Sequence, residues 1–371
     1  MSNEQQNAGE IRLSIVELCK KGHNLFRQQH FTEAKIAFEK ALLLDAKNPY
    51  ALTGLGDVFR KMHIFERASE CYKKVLAGEP NNVFSLRGLG DSYRGQQRYE
   101  EAIRIWEQYL SYRPNDIFVI TRIADSRKRL GHFDPSEVLY KQALDIKPAD
   151  RYALLGLADL YHKTGRSDLA IHYYDKVLEQ ESGFVHILSM VGNLYRHKKE
   201  FEKAKEYYLR VLELDGYNPY ALFGMGDVYR WNRDYTNAIK SWERILERHD
   251  GTLSMLSRLG DAYVNIGQHE AAERTYKGIL DKGYDKYALL GMAKIYRVRD
   301  NKEEAYNCYK SILNREPGDA RTSLELGELL VAEGRKDEAV SLYNAALSKQ
   351  VHNPEHAKLI TERLHGLGED V

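Results

Sequence analysis

Three segments of the chain are nearly interchangeable: Leu52–Arg60 reads LTGLGDVFR, Leu86–Arg94 reads LRGLGDSYR and Leu222–Arg230 reads LFGMGDVYR. The second follows the first by 34 residues, and the third follows the second by 136, four times that spacing. A self-similarity of this period marks a repeat protein and outranks any domain count taken from length. Carried along the chain, it starts repeats at Ile15, Pro49, Val83, Ile117, Arg151, Val185, Pro219, Leu253, Lys286 and Ala320, and together they span 15–353. Nine repeats have 34 residues; the one at Leu253 has 33, with its deletion in the Lys282–Asp285 turn.

Each repeat reads as two amphipathic helices, because its apolar residues recur at spacings of three and four. In the repeat at Val185 the first helix carries Leu188, Val191, Gly192 and Tyr195 at positions 4, 7, 8 and 11. The second carries Ala204, Tyr208 and Val211 at positions 20, 24 and 27. Small residues at 8 and 20 let two backbones approach closely, and the large ones fill the remaining space. Gly near position 15 (Gly131, Gly165, Gly267, Gly334) suits a helix end, and Pro closes several repeats at position 32 (Pro80, Pro114, Pro148, Pro317). Trp106 and Trp242, at position 24, are expected in the core.

The small residue at 8, Tyr at 11, Ala at 20, aromatic at 24 and Pro at 32 resemble the tetratricopeptide repeat. The resemblance implies an all-α fold: a right-handed superhelical solenoid of helix-turn-helix repeats, with first helices lining a concave face. It implies a binding scaffold and says little of the partner. A terminal repeat would leave an apolar face wet, so Pro354–Leu367 is expected to be a capping helix with Leu359, Ile360 and Leu364 inward, followed by a tail to 371. Ile11–Leu18 is expected to extend the first helix, within an amino-terminal segment 1–14 whose residues 1–8 read as disordered.

A longer period overlays the first. Ile103, Trp106 and Glu107 match Ile239, Trp242 and Glu243; Thr121–Arg122 matches Ser257–Arg258; Tyr152–Gly156 and Tyr287–Gly291 both read YALLG; Phe65–Glu66 matches Phe201–Glu202. Residues 49–184 and 185–319 are therefore read as a duplicated four-repeat block that presents similar side chains twice. Chance likeness among repeats of one family is the competing explanation.

Composition narrows the function. Lys+Arg number 55 and Asp+Glu 54, so no global charge draws the chain to nucleic acid or anionic membrane. No apolar run approaches a membrane span, Met1–Gly9 is polar rather than leader-like, and Cys19, Cys71 and Cys308 lie far apart; a reduced cytoplasmic protein is expected. Cofactor and metal chemistry find no motif. The GxG strings at Gly54–Gly56, Gly88–Gly90 and Gly224–Gly226 lie inside helices with no preceding strand. His352 and His356 have a ligand-like spacing that Pro354 breaks. No nucleophile elbow or phosphate loop is present, so a non-catalytic role is expected.

The face lined by first helices is expected to show positions 2, 5, 9 and 12. Position 2 is mostly aromatic (Tyr50, Phe84, Phe118, Tyr152, Tyr220, Tyr287), position 9 mostly Asp (Asp57, Asp91, Asp125, Asp159, Asp227, Asp261), and position 12 mostly basic (Arg60, Arg94, Lys128, Arg196, Arg230, Arg297). An Asp–Arg pair at i,i+3 contributes only about 0.2–0.5 kcal/mol, a weak reason for so regular a ladder. Either the ladder pairs repeat to repeat and sets their pitch, or it recognises an extended peptide through aromatic faces, guanidinium forks and carboxylates.

Arg87 is a further candidate at position 5. Arg122 and Arg258 replace the Gly found at position 6 in five other repeats, and either meet a neighbouring Asp or face a ligand. Trp231 either packs in its turn or anchors a partner. The carboxylate clamp of some relatives is missing: Cys19/His23, Thr53/Asp57 and Arg87/Asp91 stand at its positions. In the fourth repeat Arg127 and Ser136 replace Tyr and Ala, Pro135 enters the second helix, and Arg122, Lys128 and Arg129 form a basic patch, from which loose packing is expected. A protein or peptide partner in the groove is the favoured reading; self-association, a structural subunit of an assembly, or regulation of a separate enzyme are the alternatives.

Overall fold

A computed structural model describes residues 3–348 and 354–368, with side chains from residue 11 onward. His352 and the terminal residues 1–2 and 369–371 lie outside the described residues. Those described form 21 helices and no strand, and they divide into two units, Met1–Ser182 and Gly183–Val371.

The first unit contains five antiparallel hairpins: α1 (Asn3–Arg27) with α2 (Phe31–Leu44), α3 (Pro49–Lys61) with α4 (Phe65–Gly78), α5 (Val83–Gly95) with α6 (Tyr99–Tyr112), α7 (Ile117–Arg129) with α8 (Phe133–Ile146), and α9 (Arg151–Lys163) with α10 (Ser167–Gln180). The second contains α11 (Val185–His197) with α12 (Phe201–Leu214), α13 (Pro219–Trp231) with α14 (Tyr235–Leu246), α15 (Leu253–Asn265) with α16 (His269–Leu280), α17 (Lys286–Val298) with α18 (Lys302–Arg315), α19 (Ala320–Ala332) with α20 (Lys336–Leu347), and a final helix α21 (Pro354–Leu367). Helix α1 begins at Asn3, inside the stretch read as a disordered tail.

Local chemistry explains the boundaries. Most first helices open behind a side chain that accepts from the new helix: Asn48 from the Ala51 amide, Asn82 from Ser85, Asp150 from Tyr152 and Ala153, Asn218 from Ala221. Each hairpin turns on one residue at position 15 with left-handed backbone. Four are the glycines, with φ of 74–82°; the other six are Gln29, His63, Gln97, Lys199, Arg233 and Asp300, with φ of 56–64°. The turn therefore accepts Gln, His, Lys, Arg and Asp as well as Gly, which is why Gly marks it only intermittently.

The core is a stack of aromatic rings held between backbones. Tyr72 is fully buried; a Cβ added at Gly56 of its own repeat would stand 2.9 Å from the ring, and one at Gly88 of the next repeat 2.4 Å. The same clamp closes on Tyr208 from Gly192 and Gly224, and on Tyr276 from Gly260 and Gly291. Ala68, Ala102, Ala204, Ala238 and Ala272 at position 20 are buried completely, as are Trp106 and Trp242. Ser136 is equally buried, its hydroxyl donating to the Ala124 carbonyl at 2.8 Å, and Tyr140 behind it is fully covered. The fourth repeat thus closes like the others rather than packing loosely. On α21, Ile360 and Leu364 are buried but Leu359 is 44% exposed, which corrects its expected inward orientation: it lies one residue, or about 100° of helix, away from Ile360.

Within the first unit α1 packs along α3, α3 along α5 and α7 along α9; within the second α11 packs along α13 and α15 along α17. These first helices form the face that carries the candidate residues.

Candidate functional site

The six aromatics at position 2 stand out from this face. Tyr50, Phe84, Phe118 and Tyr152 in the first unit, and Tyr220 and Tyr287 in the second, are each 60–73% exposed. Large rings left mostly in water contribute little to folding by burial. Between Tyr50 and Phe84 lies a cavity of about 390 Å³, also lined by His23, Thr53, Asp57, Arg60 and Arg87. Burial pushes the His23 imidazole below its ordinary pKa, against the opposing pull of Asp57. Arg87 has no ion-pair partner among the described residues.

The Asp–Arg ladder proves to be tied to the aromatic core. In five of the repeats with Tyr at position 24 the phenol donates to the residue at position 9 of its own repeat, whereas Tyr309 donates to Glu325 of the following repeat at 2.9 Å. Tyr72 reaches Asp57 at 2.8 Å, Tyr174 reaches Asp159 at 2.7 Å, Tyr276 reaches Asp261 at 2.6 Å, and Tyr140 pairs with Asp125. Asn193 takes the same bond from Tyr208 at 2.8 Å. Burial raises the pKa of these phenols, the neighbouring carboxylates raise most of them further, and Tyr208 reaches about 12.

Two repeats carry Trp at position 24 and cannot make this bond. There the position-6 Arg of the following repeat serves instead. Arg122 donates to Asp91 at 2.5 Å, beside Arg60 of the preceding repeat at 3.1 Å. Arg258 pairs with Asp227, beside Arg196 at 2.8 Å and Arg230 at 3.9 Å. The flanking first helices, α5 and α7 or α13 and α15, approach one another less closely than those named above, and the arginine spans the wider seam. Arg122 and Arg258 are thus partners of a neighbouring Asp, one of the two readings their position allowed. Asp227 is 1% exposed at its side chain and Asp91 11%. Arg60 also bridges to Asp57 at 3.0 Å; burial lowers its pKa, but Tyr72, Asp57 and Asp91 more than reverse this.

Elsewhere the ladder is looser. Lys128 lies 3.5 Å from Asp125 and 4.0 Å from Asp159, and Arg297 turns to Glu325 at 3.5 Å. Arg94 is exposed and forms no ion pair among the described residues. Trp231 combines its two readings: it is 54% exposed and stacks on Phe201 with ring centres 5.9 Å apart.

Sequence reasoning treated the position-24 phenols as core alone and missed their role as ladder donors. The signal was available: Trp at 24 is followed by Arg at position 6 in both instances. Lys61, His63, Phe65 and Tyr99, which join Arg60, Asp91, Arg94, Gly95, Arg122 and Arg129 around a second cavity of about 500 Å³, were not singled out.

Models of the tetratricopeptide repeat match residues 18–48, 59–116, 121–185, 185–218, 223–288 and 300–362. The chain belongs to the tetratricopeptide repeat family. No curated protein is a significant match. Among solved structures, the chain is similar to PilW, a type IV pilus biogenesis factor, at 18% identity over 56% of this chain and 96% of that one, with a TM-score of 0.50. A tetratricopeptide repeat protein from Parabacteroides merdae aligns at 16% identity over 67% and 99%, with a TM-score of 0.49. YrrB, described as having an unusual peptide-binding site, aligns at 20% over 50% and 96%, with a TM-score of 0.43. These likenesses concern the fold. Among the described residues, no helix is long and apolar enough to cross a membrane.

Proposed function

We propose that this tetratricopeptide repeat protein is a non-catalytic scaffold that binds an extended segment of another protein along the face of its first helices. The observation that carries the reading is the row of position-2 aromatics. Six large rings sit more than half exposed on a face whose acids and bases are otherwise largely internally paired. Aromatic side chains supply large contact area at low conformational cost and dominate protein interfaces. In the second to fifth repeats they recur once per repeat, a regular spacing that suits successive side chains of an extended chain.

The binding-energy source is therefore the rings, with the exposed Arg87 and Arg94 supplying charge. The Asp–Tyr and Asp–Arg pairs hold the helices that present them. The test is site-specific photo-crosslinking. A photoreactive residue at Phe84 or Tyr220 is expected to capture a partner polypeptide, and the same probe at Arg104 or Lys240, exposed on second helices, is not. Capture only from the second helices would favour assembly through the other face.

A further inference from the structure

We infer that the cavity beside Asp91 in the first unit is an oxyanion pocket: it takes a carboxylate or phosphoryl side chain of the bound segment. The inference rests on the groove reading above and adds a chemical class to it.

Five basic side chains line this cavity of about 500 Å³, Arg60, Lys61, Arg94, Arg122 and Arg129, against one carboxylate, Asp91. Both Asp91 oxygens are already taken, Oδ2 by Arg60 and Oδ1 by Arg122. Lys61 and Arg94 have no ion pair or hydrogen-bond partner among the described residues, and Arg129 only lies over the Tyr99 ring, 5.9 Å from its centre. The Arg60 Nε is buried with no acceptor, as are the Arg196 and Arg230 Nε atoms of the second unit. Arg60 is also paired with Asp57, so the positive charge that no acid matches is that of Lys61, Arg94 and Arg129, which an entering anion would offset. Guanidinium forks give an oxyanion charge-assisted, bidentate bonds.

The duplicated counterpart shows what the pocket is not. Arg196, Asp227, Arg230 and Arg258 repeat the central constellation, but Gly95 is replaced by Trp231 and Arg129 by Asn265. Trp231 stacks on Phe201, and Arg230 and Lys199 lie 5.6 and 5.9 Å from its ring centre. Arg230 and Lys199 thus lie over an aromatic face, where Gly95 in the first unit brings no ring of its own to the cavity and has the Phe65 ring against it. The two copies have diverged into an anion pocket and a stacking platform.

The test uses the full chain and pools of dodecapeptides randomised around a central Glu, phosphoserine, Gln or Ser. The Glu or phosphoserine pool is expected to bind about tenfold tighter than its neutral counterpart. The pool that gains more identifies the anion. The preference should vanish in Arg94→Ala/Arg129→Ala, whose side chains are exposed and unpaired with any acid, and persist in Trp231→Ala. Equal binding of all pools, or a preference that survives the double variant, overturns the pocket. If no pool binds, the groove reading itself fails. Titration of inorganic phosphate against the arginine Nε–Hε NMR signals then judges the pocket separately: shifts at Arg94 and Arg129 sustain it, and none overturns it.

Discussion

The second to fourth repeats (49–150) and the sixth to eighth (185–285) carry the same Trp–Arg–Asp bridge in different settings. In the first set Asp91 keeps some solvent contact and its partner Arg60 is shared with Asp57. In the second, Asn193 replaces that second carboxylate, and Asp227 is buried among three arginines. One bridge is an open network with spare cations; the other is a closed one. The two sets share what holds the helices and differ in what they present.

The largest expected effect separates the two bridges directly. Removing the acid of a buried ion pair strands its partners and costs about 3–5 kcal/mol, so Asp227→Ala should lose about 3 kcal/mol of stability. Asp91→Ala should lose about half of that, since Arg60 retains Asp57. Urea unfolding followed by circular dichroism measures both, and equal losses would remove the distinction. Next come Gly88→Val and Gly224→Val, which force a side chain into the Tyr72 and Tyr208 rings. Overpacking should cost each about 1–3 kcal/mol, and similar losses would show that the ring clamp is common to both sets.

A smaller effect sharpens the functional contrast. Gly95→Trp, which must push the Phe65 ring aside, should occlude the first unit's cavity and lower its preference for acidic over neutral peptides several-fold. The smallest is a titration. The Tyr208 phenol stays protonated to about pH 12, above the unfolded value near 10. Its contribution is fully present below pH 10 and is lost as pH rises through about 12. Absorbance at 295 nm should show a late tyrosine step that coincides with loss of helix, and Tyr208→Phe should diminish it.

Much of the fold was legible because the repeat writes its packing rules ten times. Small residues at 8 and 20 and an aromatic at 24 can only mean close backbones around a ring. The turn residue was legible only where it is Gly, because His63, Lys199 and Asp300 adopt the same backbone without announcing it. The site was less legible. Exposure of Tyr50, Phe84 and their equivalents follows from position in the repeat, but the fate of each charge depends on neighbours one repeat away. For Arg122 and Arg258 the sequence left a neighbouring Asp and a ligand both open, and the structure pairs each with the Asp whose phenol partner is missing. Replacing them with Glu would set an acid against Asp91 or Asp227 and test stability before binding. Leu359 was misplaced by one residue on the last helix.

The central claim is that the position-2 rings, and not the ladder, hold the partner. Affinity capture with the full chain, beside a variant carrying alanine at Tyr50, Phe84, Phe118 and Tyr152, tests it most directly. Loss of the captured polypeptide with an unaltered helical spectrum is the predicted result; undiminished capture by the same folded variant would contradict it.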